Sequence, residues 1–232
     1  MKAIILAAGR GTRLYPITLE LPKGLLKIGN ETILDRMVRQ FKETGIKDIL
    51  IVVGFQKEIL MNHFGSSVRY ISYKDFLTTN NLHTLWSIRN ELNGDVIVSF
   101  ADLIVENSII FDLIKSNTNV TMAIDTSKVL EGTMRVSVNE NKIENITSTS
   151  IQEADGNFIG IAKFNSKGCK LLLSEMCSLI NGNYKDYYTI AIDNLARKGS
   201  EINYLDVKGH IWREIDTKDE YDEACNIYDS FN

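Results

Sequence analysis

The residues best equipped for chemistry lie at the start of the chain, in Leu6-Ala7-Ala8-Gly9-Arg10-Gly11-Thr12-Arg13-Leu14-Tyr15-Pro16 followed by Pro22-Lys23. An apolar strand, Lys2 to Leu6, delivers the chain into a loop of small residues, where backbone N–H groups can approach an anion with no Cβ in the way. Arg13 and Lys23 place cationic charge beside that loop. The segment reads as a triphosphate cradle. It is not a dinucleotide fingerprint, which needs a glycine where this chain has Leu14. It is not a P-loop either, because no Gly, four residues, Gly-Lys-Ser/Thr run exists. The plainer alternative is a strand-to-helix turn in which glycine serves only the backbone.

Two acidic positions at strand ends suit a metal. The apolar run Val96 to Phe100 leads into Ala101-Asp102, which places Asp102 at the carboxyl edge of a sheet, where open α/β folds bind ligands. Late in the chain, Glu214-Ile215-Asp216-Thr217 closes a short strand, and period-two alternation puts Trp212, Glu214 and Asp216 on one face. Singly, Asp102 could begin a turn, and Asp216 could cap the last helix in competition with Thr217. Together they meet the need of a nucleoside triphosphate for Mg²⁺ held by one or two carboxylates and phosphate oxygens.

The 232 residues are 44% hydrophobic and 24% charged, ordinary globular material, and are expected to form one domain over residues 1–232. A net charge of -4 argues against a nucleic-acid partner. No stretch approaches the roughly 20 apolar residues that span a bilayer. The N-terminal run is also cut short by Gly9-Arg10-Gly11, unlike a signal peptide, so the expected location is the cytoplasm. Cys169, Cys177 and Cys225 lack metal or redox spacing, and His63, His83 and His210 show no ligand pairing. None of the six is assigned to chemistry.

The elements that must position the loop and the acids alternate. A helix carrying Ile33, Leu34, Met37, Val38 and Phe41 precedes the strand Ile49 to Val53, and a helix at Lys57 to Phe64 leads to a strand at Val68 to Tyr73. A helix over Leu82 to Leu92 then precedes the strand Asp95 to Phe100. The second half reads as a strand Val120 to Ile124, a hairpin turning at Asn139 to Asn141, and a strand Phe158 to Phe164. Helices at Lys167 to Leu179, Tyr188 to Arg197 and Lys218 to Tyr228 enclose strands at Ile202 to Leu205 and Ile211 to Ile215. The fold class is α/β, with a Rossmann-like, mixed but mostly parallel central sheet and helices on both faces.

Gly-x-Gly-Thr-Arg-Leu-x-Pro followed by Pro-Lys resembles the signature of nucleotidyltransferases that activate sugar phosphates and related phosphate esters. Three more segments, Thr79 to Trp86, Gly156 to Ala162 and Trp212 to Thr217, resemble the branch that transfers CMP to small phosphate or phosphonate acceptors, with phosphocholine cytidylyltransferases of bacterial surface decoration as its type. The resemblance implies CTP as donor, Mg²⁺ on Asp102 and Asp216, and catalytic roles for Arg13 and Lys23. It also implies nucleotide contacts from Leu6, Ala8, Gly9, Gly11, Thr12, Asn81 and Ala101, with Asn81 near the base and Ala101 standing where glycine is common.

An amine-bearing acceptor would favour an aromatic wall with a carboxylate, for which Trp212, Tyr187, Tyr188 and Glu214 are candidates, with Asn157 beside them. Packing is the alternative role for each. Asn157, Thr189 and Ile190 stand where related segments carry acids, which turns the expectation from phosphocholine toward phosphoglutamine or a hydroxylated or amino phosphonate. Two other readings stand beside this one: a sugar-1-phosphate nucleotidyltransferase using dTTP, UTP or GTP, and a catalytically silent nucleotide binder. No further enzyme domain is expected.

Overall fold

A computed structural model describes residues 1–130, 132–147 and 154–231. The apolar N-terminal run forms β1 (Lys2–Ala7), which pairs in parallel on one side with β4 (Asp48–Val53) and on the other with β6 (Val96–Phe100). β5 (Arg69–Ser72) extends this parallel half beyond β4. Between these strands lie α1 (Ile33–Glu43), α2 (Lys57–Phe64) and α3 (Asn81–Ser87). Two short strands, β2 (Lys27–Ile28) and β3 (Glu31–Thr32), precede α1. Thr32 caps α1 with a reciprocal box to Asp35, which satisfies orphan amides at its first turn.

After β6 the chain makes β7 (Leu103–Val105), α4 (Asn107–Lys115) and β8 (Val120–Asp125). The hairpin of β9 (Met134–Asn139) and β10 (Lys142–Thr147) follows, then β11 (Gly156–Phe164), α5 (Ser166–Leu179) and α6 (Thr189–Arg197). β12 (Asn203–Asp206), β13 (Trp212–Glu214) and α7 (Lys218–Asn226) complete the series. The central sheet has nine strands in the order β5-β4-β1-β6-β11-β8-β12-β10-β9. β11 runs antiparallel to both β6 and β8 and joins the parallel half to the mixed half.

Even and odd residues of the strands fill two cores. Ile4, Leu6, Val52 and Val98 pack with α3, α5 and α6, while Ala3, Ile5, Ile51 and Ile97 pack with α1, α2 and α4. Helices therefore cover both faces, as near-continuous apolar strands require. A third, smaller core of Leu14, Leu26, Ile28, Ile33, Ile104, Ile215, Ala224 and Phe231 ties the glycine loop to α7. The helix expected over Leu82 to Leu92 ends at Ser87 and resumes as a 3-10 turn at Arg89–Glu91, and the last helix stops at Asn226.

Candidate active site

The glycine loop leaves β1 at the carboxyl edge of the sheet. Ala8 accepts a hydrogen bond from the Phe55 amide at 3.0 Å, and Gly11 accepts from the Thr18 hydroxyl at 2.7 Å, so the loop is pinned at both ends. Gly11 holds a positive φ of 61°, which suits a residue without Cβ. Beside Gly9 the space a Cβ would take is free of protein atoms within 4 Å.

The acids arrive from two distant segments that one ladder brings together. β13 pairs antiparallel with β7, Glu214 opposite Leu103, and the Ile215 amide then donates to the Asp102 carbonyl at 2.9 Å. This places Asp102, Glu214 and Asp216 so that one oxygen of each lies within 4.8 Å of the others. Thr217, not Asp216, caps α7, with its own box to Glu220. The Asp216 carboxylate is thereby free to face the loop.

Lys23 Nζ lies 2.5 Å from Asp216 Oδ1 and 2.6 Å from Asp102 Oδ2, and Arg13 Nη2 lies 2.6 Å from Asp216 Oδ2. Burial pulls the Lys23 pKa down, but the charges and hydrogen bonds of Asp102 and Asp216 outweigh it, so the net shift is upward. The Glu214 carboxyl is pushed up to about 8 by burial and by the charges of Asp102 and Asp216, against the opposing pull of Lys23 and Arg13. Asp102 Oδ1 is buried with no hydrogen-bond partner. An unpartnered carboxylate oxygen among three acids is a hard-oxygen donor set that fits a small divalent cation.

A cleft of about 260 Å³ opens over this centre. Of the residues expected at the site, Leu6, Ala8, Gly9, Gly11, Thr12, Arg13, Lys23, Asn81, Asp102, Tyr187, Glu214 and Asp216 all line it. Ala101 lines an adjoining cavity of about 90 Å³ behind Lys23. The cleft also takes Phe76, Thr79, Asn80, Thr84 and Phe100, which were not expected as site residues. Their signal was present in part, since Thr79, Asn80 and Thr84 lie in the segment that carried the resemblance, and Phe100 immediately precedes Ala101-Asp102. Asn80 also caps α3, as the capping alternative holds.

Three expected acceptor contacts fall elsewhere. Asn157 is fully buried, its oxygen accepting from the Leu130 amide and the Thr133 hydroxyl and its Nδ2 donating to the Lys128 carbonyl. It points to the α4 side of β11, opposite Phe158 and Gly160, which lie against Phe100. Trp212 donates its indole N–H to Asp125 at 2.8 Å and lines a second cavity of about 610 Å³ with Glu214 and Asp216. Alternation did group these three residues, but only the two acids reach the cleft. Tyr188 is fully buried and packs edge-on to Phe100 at 6.0 Å.

The three cysteines are free thiols, and no helix among the described residues is long and apolar enough to cross a membrane. The family model described as Nucleotidyl transferase matches residues 2–142, more than half of the chain. Choline-phosphate cytidylyltransferase of Streptococcus pneumoniae is 35% identical over 119 residues, 50% of this chain and 51% of that protein, so this match spans about half the relative's length. CTP:phosphoglutamine cytidylyltransferase of Campylobacter jejuni is 25% identical over 247 residues, covering 93% of this chain and 96% of its own. The solved structure of CTP:phosphocholine cytidylyltransferase from Streptococcus pneumoniae superposes with a TM-score of 0.79 at 25% identity, covering 98% of each chain. Transferases named for UTP and for glucose 1-phosphate match as well. With the glycine loop, its two cations and the facing acids joined in one cleft, and with the family model spanning that loop and Asp102, the chain belongs to the nucleotidyl transferase family and is an enzyme of nucleotidyl transfer.

Proposed function

We propose that this chain, read as one domain, transfers CMP from CTP to a small phosphate or phosphonate acceptor and releases pyrophosphate. The observation that carries the reading is the placement of Lys23 and Arg13 on the facing carboxylates beneath an open glycine loop. An acceptor oxygen attacks the α-phosphorus of the nucleotide in line with departing pyrophosphate, so two anions must meet. In this reading Lys23 holds the α-phosphate and the acceptor, Arg13 holds the leaving pyrophosphate, and loop amides from Ala8 to Thr12 orient the triphosphate. Asp102 and Asp216, with Glu214 beside them, would hold Mg²⁺, which supplies charge neutralisation at the phosphates when bound. The acceptor oxygen is ionised near neutral pH, and no general base is needed.

CTP is favoured by Asn81. Its Oδ1 accepts from the Tyr188 amide at 2.7 Å, which leaves its NH₂ as the group available to a base. The cytidylyltransferase relatives support the same donor. On the acceptor side, Tyr187 and Glu214 remain at the cleft without Trp212, a thin cage for a quaternary ammonium. That favours an acceptor with amide, amino-acid or hydroxyl character, and the phosphoglutamine enzyme that matches over most of the chain supports it. The product would be a CDP-linked group consumed by a surface-polysaccharide or phospho-modifying transferase, made in the cytoplasm where CTP is supplied. Sugar 1-phosphate transfer from UTP or dTTP is the second reading, supported by the relatives named for those substrates.

The test is pyrophosphate release with Mg²⁺, comparing CTP, UTP, dTTP, GTP and ATP against phosphocholine, phosphoglutamine, aminoethylphosphonate and sugar 1-phosphates. Release confined to CTP with a non-sugar acceptor is expected. Release only with UTP or dTTP and a sugar phosphate would replace the proposal with the second reading. Nucleotide binding without release from any pair would mark a silent binder.

A further inference from the structure

We infer that Lys23 is a stand-in cation: its ammonium occupies the carboxylate pair of Asp102 and Asp216 in the free enzyme and keeps that pair from binding a divalent ion until a triphosphate draws the ammonium away. The inference rests on the site reading above and goes further, to an order of assembly.

The occupancy of each oxygen carries it. Asp216 has both carboxylate oxygens engaged by cations, Oδ1 by Lys23 at 2.5 Å and Oδ2 by Arg13 at 2.6 Å. Asp102 has Oδ2 engaged by the same Lys23 at 2.6 Å, and only Oδ1 is unpartnered. A divalent ion that used both aspartates would therefore find one free oxygen on the first and none on the second. It could gain the second only by displacing Lys23 or Arg13. Both aspartates are already neutralised, so a divalent ion arriving alone would add positive charge next to two cations.

A triphosphate reverses this balance. Its oxygens offer Lys23 and Arg13 new anionic partners, and their departure uncovers Asp216. Lys23 has room to make the exchange, because the residue borders both the cleft and the smaller adjoining cavity. The lysine then carries out two tasks in turn. It first holds two mutually repelling carboxylates together, and it then follows the phosphate, leaving the carboxylates for the ion. The nucleotide, free or already metal-bound, must precede a stable metal at the aspartates.

The test titrates Mn²⁺ into the full chain without nucleotide, reading free Mn²⁺ by electron paramagnetic resonance, for wild type, Lys23→Met and the double variant Lys23→Met/Asp216→Asn. Thermal melting with and without Mn²⁺ accompanies each titration. Lys23→Met is expected to bind Mn²⁺ at least tenfold more tightly than wild type and to gain more thermal stability from it. The double variant should lose that gain. Equal binding by wild type and Lys23→Met, whether weak or tight, would overturn the stand-in role and leave the cleft's assignment to nucleotidyl transfer untouched. Tight binding that survives in the double variant would instead leave Asp216 out of the metal site and overturn the shared use of the two aspartates on which the site reading rests.

Discussion

Asn81 should separate into two functions under substitution, because its amide faces two ways. Its Oδ1 accepts from the Tyr188 amide at 2.7 Å, while its Nδ2 has no partner among the described residues and the residue lines the cleft. Asn81→Asp keeps an acceptor for Tyr188 and removes the donor that, on the proposed function, meets the base. Asn81→Leu removes both and strands the Tyr188 amide, a desolvation loss of about 1–3 kcal/mol for a buried donor. Losing one neutral hydrogen bond costs about 0.5–1.5 kcal/mol, roughly a 2- to 10-fold rise in nucleotide KM, and a carboxylate facing the acceptor atoms of cytosine adds repulsion to that. Uracil carries N–H at position 3 where cytosine carries a lone pair, so Asn81→Asp should also move the preference from CTP toward UTP. Urea unfolding and pyrophosphate release over a range of CTP and UTP read the two effects apart. The expected pattern is an unchanged unfolding midpoint with a falling CTP/UTP ratio in Asn81→Asp, and a lowered midpoint in Asn81→Leu. An Asn81→Asp enzyme with wild-type KM and ratio would refute the orientation argument and, with it, the case for Asn81 at the base.

Gly160 sits at φ 97°, and a Cβ there would lie 2.9 Å from Phe100 Cδ2, so Gly160→Ala should cost about 1–3 kcal/mol in urea unfolding and, by moving Phe100, weaken turnover. Asn157→Leu should destabilise by about 3 kcal/mol through the loop bonds it loses to Lys128, Leu130 and Thr133, while the acceptor preference in the release assay stays as in wild type. Hydrogen bonds from Arg69 and then Lys2 hold the Glu91 carboxyl down at about 2, below its ordinary value of 4.5. A depressed carboxyl stabilises the fold fully above its unfolded pKa, and that contribution is lost as pH falls through the folded value. The difference in unfolding free energy between wild type and Glu91→Gln, measured in urea, should therefore amount to about 1 kcal/mol near neutrality and shrink between pH 4.5 and 2.

The parts of this site that could be read from sequence are those whose geometry is local. The glycine loop, Arg13 and Lys23 lie within one strand-to-helix segment, and Asp102 follows directly from the end of an apolar strand. Contacts between distant segments were legible only through family resemblance. The Ile215 amide bond to the Asp102 carbonyl joins segments far apart in the sequence. Alternation could group Trp212, Glu214 and Asp216 on one face at β13, but not show that this strand pairs with the three residues of β7. Asn157 shows the limit of a motif without a face. Its segment is correctly a strand, but β11 turns Gly160 toward Phe100 and Asn157 toward the loop at Lys128. Trp212 shows the same for an aromatic, since an indole N–H that meets Asp125 is spent on holding β13 to β8.

On the proposed function, the pairing of cations and acids links folding to catalysis in one device. An ammonium as enclosed as that of Lys23, at 12% exposure, would be costly without a partner, and so would two aspartates at 15% and 20%. Paired, they can be desolvated before any substrate arrives. The same closeness makes removal of either partner a stability change of about 3–5 kcal/mol as well as a catalytic one, because the survivor is left charged and enclosed. Activity lost in a Lys23 variant is thus ambiguous on its own, whereas metal affinity gained in that variant is not. A damaged fold weakens every ligand, and only a carboxylate pair released from its lysine has reason to bind a divalent cation more tightly than the native enzyme does.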